Sequence, residues 1–568
     1  MVCPARVAVL FTVLLALAGT AGPAVASSGD ATASTVASQS TNPPDPDTDV
    51  IGWEDGYWYN ESISIDRSDG LNEAELEKVV ARAMARVEVV RQLEFEETVP
   101  VTIISRETFR DRNKRFYANA STKARLHQNT KYEALFMIDE STNAINVQRQ
   151  NRGASVLGYY DYQRDRIVIV SEDTDSPQMN EITLAQELFH ALQDQHFDLN
   201  DYSRRTEEEN NAVNGIIEGD GNYVDYLYKQ RCDTGAWGNC LMPQNEGEDS
   251  GDLANVGVFL IGFQPYSDGP AFVADIEERR GWAAVNAVYQ SPPASTEQTI
   301  HPDKYGIDEP TEVTIQDRSS GDWRVLELNN SINYATFGEA GLFSMFWYAS
   351  YEATQRSGAA QTVVVPYRDL FNTQPGGGLD PIDPYNYTSR YSAGWDGDRL
   401  LPYVTNASAT TNETGYVWKI VWDSSAEAEE FYAGYQQLLE YHGAEQVGID
   451  TYRLPDDSGF GDAIHVIVAD DTVTIINAPT VADLARIDSQ VEVQTETSPT
   501  PSMSTDTASP PIETTSPTSP DTPTETTDGP TTAALSPGTT SPGQPGFGVL
   551  VIIAALLVVI LTHRMQYR

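Results

Sequence analysis

Hydrophobic and polar positions change rhythm several times along the chain, and each rhythm predicts an element. In LNEAELEKVVARAMARVEVVRQLEF, the residues Leu76, Val79, Val80, Ala83 and Val87 recur at helical spacing, which predicts a helix with one apolar face. The apolar run VPVTIIS follows it and predicts a strand. GYYDY and RIVIV, separated by the polar stretch Gln163-Arg164-Asp165, predict a hairpin with a polar tip. AQELFHALQDQHFD and EEENNAVNGIIEGDGNYVDYLYKQ predict two more helices. The order helix, strand, hairpin, helix, helix indicates an α+β unit.

From Gly251 to about Gly394 the pattern is mixed and rich in Gly and Pro, with helical pieces around Phe272–Tyr289 and Gly338–Thr354. Between Tyr416 and Ile487 the rhythm is clearer. YVWKIVWD predicts a strand and SAEAEEFYAGYQQLLEYH an amphipathic helix. AIHVIVADDTVTIINAP predicts a hairpin turning at Asp470-Asp471, and TVADLARI a closing helix. Together they predict a small α/β sandwich. Its charges and aromatics fit a solvated face over a core, with no chemistry of its own.

Composition narrows the setting. The chain has 568 residues, too many for one ordinary core. Acidic residues outnumber basic ones by 83 to 36, giving a formal charge of −47. That balance argues against nucleic acid, whose phosphates need clustered Lys and Arg. Spread along the chain as it is, the charge fits a protein working in very high salt, where screening acts over a few ångströms.

Both ends carry export signals. Arg6, the apolar run Val7 to Leu17 and the Ala24-Val25-Ala26 site read as a cleaved signal peptide. Cleavage removes Cys3 and leaves Cys232 and Cys240, an even pair expected to form a small disulfide loop outside the cell. From about Glu492 to Gln544 the chain is almost all Thr, Ser, Pro, Asp and Glu, the composition of a stalk that buries no core. The apolar run Val549 to Leu561 and the basic residues Arg564 and Arg568 follow. Asn60, Asn119, Asn329, Asn386, Asn406 and Asn412 each open an N-x-S/T triplet, which makes them candidate glycosylation sites.

AQELFHALQDQHFD raises the question of chemistry. Positions i and i+4 of a helix face the same way, which is why H-E-x-x-H lets two imidazoles hold one zinc while the Glu works as general base. Here Glu187 occupies the base position, His190 the second ligand position, and Gln186 the first. An amide oxygen is a much poorer zinc donor than an imidazole nitrogen. Glu218 stands on the following helix where a third ligand belongs, with Asp220 beside it as a supporting carboxylate. Glu187, His190 and Asp194 form an alternative set on one helix, His196 points elsewhere, and Glu339 reads as a paired buried carboxylate. Against all of these stands a plain reading in which His190 only hydrogen-bonds within the core.

GYYDYQRDRIVIV, QELFHALQDQHFDL, IIEGDGNYVDYLY and PPASTEQTIHPDKY resemble gluzincin-like metallopeptidases, and more closely a group of haloarchaeal surface proteins built on that fold. The tail resembles the sorting signal of such proteins: Pro545, Gly546 and Phe547, an apolar helix, then basic residues. The resemblance implies Glu187 as base, His190 and Glu218 as ligands, and His301 as a cleft residue aiding an oxyanion. It also implies a sortase-type processing enzyme and a lipid anchor as partners, and a place on the outer face of the membrane in the cell envelope or S-layer. The expected organisation is a signal peptide 1–26, a linker 27–49, a zincin-like domain with extension 50–395, a small α/β domain 396–490, a stalk 491–544 and a transmembrane sorting signal 545–568. Zinc is the candidate cofactor. With Gln186 at a ligand position, the expectation is an inactive metallopeptidase relative that holds no metal, the alternative being an active zinc enzyme.

Overall fold

The computed structural model describes residues 44–492, apart from 67–69, 119, 172–173, 175–179, 243–252 and 330. The expected signal peptide, the stalk from residue 493 on and the sorting signal, with Pro545, Gly546 and Phe547, lie outside the described residues, as does Asn119. Among the described residues no helix is long and apolar enough to cross a membrane.

The architecture is α+β, helical toward the N-terminus and sheet-rich toward the C-terminus. Strand Val101–Ser105 runs parallel to Arg166–Ser171, which pairs antiparallel with Gly158–Asp161. The predicted hairpin is therefore present, and Gly158–Asp161 is an edge strand. Helix Glu73–Arg91 starts on an Asn72 capping box with Glu75. From Val79 onward it is buried almost all round, so its apolar face is only part of what it buries.

Helices Glu181–Phe197, Glu207–Asp233 and Val256–Arg280 form the layer beside the small sheet. The last two approach closely at glycines. A Cβ on Gly219 would stand 2.5 Å from the Gly269 carbonyl, and one on Gly269 would stand 2.7 Å from the Gly215 oxygen. The predicted helix over 272–289 is the second half of a longer one that runs through Pro265 and Pro270, then breaks at Gly281, whose φ of +75° suits glycine. Helices Arg106–Tyr117, Thr122–Glu133 and Ala144–Ser155 fill the stretch between the first strand and the hairpin, where no element was predicted.

The second sheet has seven strands, ordered Arg324–Val325, Trp395–Val404, Gly415–Trp422, Thr472–Ala478, Ala463–Ala469, Thr451–Arg453 and Glu445–Gly448, all antiparallel. Alternation along Gly415–Trp422 explains its two faces. Tyr416, Trp418, Ile420 and Trp422 enter the core under helices Gly338–Ser357 and Ser425–Tyr441. Val417 faces the opposite core with Leu484 and Ile487 of helix Val481–Ile487. The hairpin turns at Asp470-Asp471 as predicted, with Ala469 opposite Thr472. The expected domain boundary at 395/396 falls at the first residue of strand Trp395–Val404.

Candidate functional site

Helix Glu181–Phe197 begins at Asn180, whose side chain accepts from the Ile182 amide, and it presents His190 toward helix Glu207–Asp233. There Glu218 waits: its Oε2 lies 3.3 Å from His190 Nε2. The sequence-predicted pair is therefore brought together. Gly158 of the edge strand lies over Glu187, since a Cβ there would stand 3.2 Å from Glu187 Cγ and Oε1. Gly221 does the same for His190, with its Cβ position 3.2 Å from Cε1. Bare backbone closes on the cluster from two sides.

The His190 ring is oriented by Gln193. Gln193 Nε2 donates to the Ile217 carbonyl at 2.9 Å, which fixes the amide and turns Oε1 to His190 Nδ1 at 2.7 Å. An amide oxygen only accepts, so Nδ1 carries a proton. In a neutral ring Nε2 is then an acceptor facing a carboxylate, an arrangement that calls for a further proton or a cation between them. The Glu218 carboxylate and Glu187 hold the His190 proton against the cost of burial, pushing its pKa up to about 9. A proton on Nε2 makes the contact an ion pair at 3.3 Å, although neither atom makes a hydrogen bond of ordinary geometry.

Glu187 differs. It is wholly buried and neither oxygen makes a hydrogen bond of ordinary geometry. Burial first, then the Glu218 charge, push its carboxyl up to about 8, against the pull of His190 and the Tyr160 amide. Gln186 is 1% exposed and its Nε2 has no partner. Asp225, which the sequence reading passed over, belongs to the same cluster: burial drives its pKa far up, while His190, Glu187 and Glu218 act on it directly. The signal for it was helical spacing, because Asp225 lies seven residues, two turns, beyond Glu218.

The other candidates have other partners. Asp220 receives Arg91 Nε at 3.0 Å on both oxygens and the Tyr289 hydroxyl at 2.7 Å. Its hydrogen-bond path to His190 runs through Tyr289 and Gln193, which are joined at 2.6 Å. Asp194 accepts from the Tyr160 hydroxyl and the Leu199 amide, so it serves the helix end. His196 meets the Glu94 carbonyl. His301 pairs with the fully buried Glu339, Nε2 to Oε2 3.0 Å. Cys232 and Cys240 form the expected disulfide. Among the sequons, Asn329 and Asn406 are exposed and Asn60 and Asn386 half-buried. Asn412 is half-buried as well, and its amide bonds to Arg125, Asn129 and the Glu140 carbonyl.

Two ligands about 2 Å from a tetrahedral zinc stand about 3.3 Å apart, so the His190–Glu218 spacing suits one edge of such a site. A tight site needs at least three good donors. Among the described residues, the sets of three or more His, Cys, Asp or Glu close enough to share an ion are Glu133, Glu140, Asp462 and Glu297, Asp308, Asp423, and neither includes His190. Lys304 already sits in the second set, 2.6 Å from Glu297, 2.9 Å from Asp308 and 3.0 Å from Asp423. The donor set at His190 does not fit a firmly held zinc.

Comparison with known proteins adds one match. Residues 324–488 match a family described as a domain of unknown function (DUF8575). The match opens at the first strand of the seven-stranded sheet and closes at its last helix, leaving the Glu187 cluster outside. No curated protein and no solved structure matches the chain.

Proposed function

We propose that this is an exported cell-surface protein, anchored at its C-terminus, whose zincin-like N-terminal half no longer hydrolyses peptides and serves a binding or assembly role in the envelope of a halophilic archaeon. The observation that carries the catalytic part is burial. Gln186, Glu187, His190 and Glu218 are each 3% exposed or less, whereas a general base must come within hydrogen-bond reach of a substrate or its water. Gln186 supplies a weak donor where the resemblance calls for imidazole. The export part rests on the signal peptide, the Thr-rich stalk and the Pro545-Gly546-Phe547 tail.

A second reading, an active zinc peptidase with Glu187 as base, is favoured by the His190–Glu218 spacing alone. One experiment separates them. Full-length protein purified in molar salt is analysed for zinc and for peptide hydrolysis, beside Glu187→Gln and Gln186→His. The proposal expects neither zinc nor hydrolysis in the parent, and zinc uptake in Gln186→His. Stoichiometric zinc with hydrolysis that Glu187→Gln abolishes would establish the second reading.

A further inference from the structure

We propose that the exposed flank of helix Arg106–Tyr117 docks onto the acidic outer face of helix Ser425–Tyr441 of a second copy of this chain. Such a contact gives the assembly role a partner, yet it requires neither export nor lost catalysis, and that reading would survive its absence. Charge sets the first helix apart. Across the chain acidic residues outnumber basic ones by 83 to 36, but RETFRDRNKRFY carries five Arg and Lys against two acids. Helix Ala144–Ser155 packs beside it, the Asn113 amide donating to the Arg149 carbonyl at 3.0 Å, and adds Arg149 and Arg152 with no acid. Arg110, Arg112, Lys114 and Arg115 are exposed, and among the described residues none of them is in an ion pair. A solvated basic face is ordinary on a balanced protein. On one with a formal charge of −47 it marks where an anionic partner is drawn.

The face has an anchor as well as charge. Phe109 and Asn113 turn inward, while Arg112, Arg115 and Phe116, three and four residues apart, share one outer flank. Glu107 and Asp111 stand about 100° or more around the helix from Arg112 and Phe116. Phe116 is 51% exposed. Its ring is held from two sides, by the Tyr117 ring edge-on at 5.0 Å and by the Arg152 guanidinium 5.3 Å from its centroid. A fixed aromatic side chain amid arginines is the composition of an interface centre. A lipid surface would call for an apolar outer stripe, and here Phe109 is buried and Phe116 stands alone.

A second copy offers the complement. Helix Ser425–Tyr441 carries four Glu and no Lys or Arg. Glu429 and Glu440, with the small Ala433 between them, share its exposed face. Among the described residues neither carboxylate is in an ion pair. Beside that face stands Ile449, 68% exposed, next to Asp450, which accepts from the Tyr432 hydroxyl of the helix at 3.2 Å. Carboxylates around a small apolar seat thus answer guanidinium groups around an aromatic knob. In molar salt screening acts beyond a few ångströms. It quiets the mutual repulsion of two such acidic chains and leaves direct Arg–carboxylate hydrogen bonds in place.

The test follows the full chain in molar sodium chloride by analytical ultracentrifugation over a range of concentrations. The parent is expected to self-associate. Arg112→Glu with Arg115→Glu, and separately Glu429→Lys with Glu440→Lys, change exposed residues, and each pair should weaken association about tenfold or more. An equimolar mixture of the two double variants should associate again, because each retains the face that the other has lost; that recovery also shows both to be folded. Phe116→Ser should weaken association and leave the melting temperature unchanged. A parent that stays monomeric, association undiminished in either double variant, or a mixture that fails to associate would each overturn the proposal. So would a monomeric parent that binds vesicles of an anionic phospholipid through the same arginines.

Discussion

Gln193 holds His190 by its Nδ1 at 2.7 Å while its own nitrogen reaches the Ile217 carbonyl and the Tyr289 hydroxyl. One buried amide thus links the motif helix, the following helix and, through Tyr289, the Asp220–Arg91 pair, whose closest charged contact is 3.0 Å. Because all these groups are buried, removing the amide leaves several of them unpaired.

Gln193→Met keeps the volume and removes both ends of that link. Each orphaned buried partner costs about 1–3 kcal/mol. With the His190 ring and the Ile217 carbonyl both affected, the variant should lose about 2–6 kcal/mol of stability. Urea unfolding at constant high salt measures this. A loss below about 1 kcal/mol would mean that water or another group takes over the contacts.

Glu181 is the most heavily engaged carboxylate near the motif. It is fully buried, with Arg82 Nη2 at 3.0 Å, Arg86 Nη1 on its other oxygen, the Tyr228 hydroxyl at 2.6 Å and the Leu241 amide at 2.7 Å. Arg86 in turn reaches the Trp237 carbonyl, inside the loop closed by Cys232 and Cys240. Removing one partner of a buried ion pair typically costs about 3–5 kcal/mol, since the other charge stays buried. Glu181→Gln should therefore destabilise by about that much, and it should do so in molar salt as well, because a buried pair is little screened. Melting at low and high salt checks both statements. A cost that vanished in high salt would show the cluster to be open to solvent.

Much of this was legible in sequence where local rhythm and tertiary demand agree. The turn at Asp470-Asp471 sits between two alternating runs, and helix Ser425–Tyr441 has a polar outer face and an Ser424 cap. Strand Trp395–Val404 was not legible. Its WDGDRLLPYV contains Gly397, Asp398 and Pro402, all weak strand formers. Asp398 is buried because it accepts from the Phe337 and Gly338 amides and from Trp395 and Trp418 Nε1, and of these partners a local window contains Trp395 alone. The same limit applies at the site. Spacing brought Glu187, His190 and Glu218 to one place, yet their burial depends on Gly158 and Gly221, whose close approach is a property of packing.

The last prediction concerns the first hairpin, Trp53–Glu54 with Tyr57–Trp58, which rests on helix Glu73–Arg91. Glu88 on that helix accepts the Gly52 amide at 2.8 Å and the Phe95 amide at 2.9 Å, so both its oxygens already act as acceptors. Glu54, 3% exposed, is hydrogen-bonded to Glu88 and must bring the proton. Burial and the Glu88 charge, with Asp49 and Asp55 behind it, push Glu54 up to about 9; burial and Glu94 push Glu88 up too. Both pKa values are raised on folding, so the folded state holds more protons than the unfolded one as pH climbs. The stabilisation is complete below the unfolded value of 4.5 and is lost as pH rises through about 9. Hydrogen exchange at the Gly52 amide, corrected for its intrinsic dependence on pH, should show protection falling over that range. In Glu54→Gln, which keeps a donor and no longer titrates, the fall should flatten. Protection that stayed constant through pH 9 in the parent would mean that the two carboxyls share no proton.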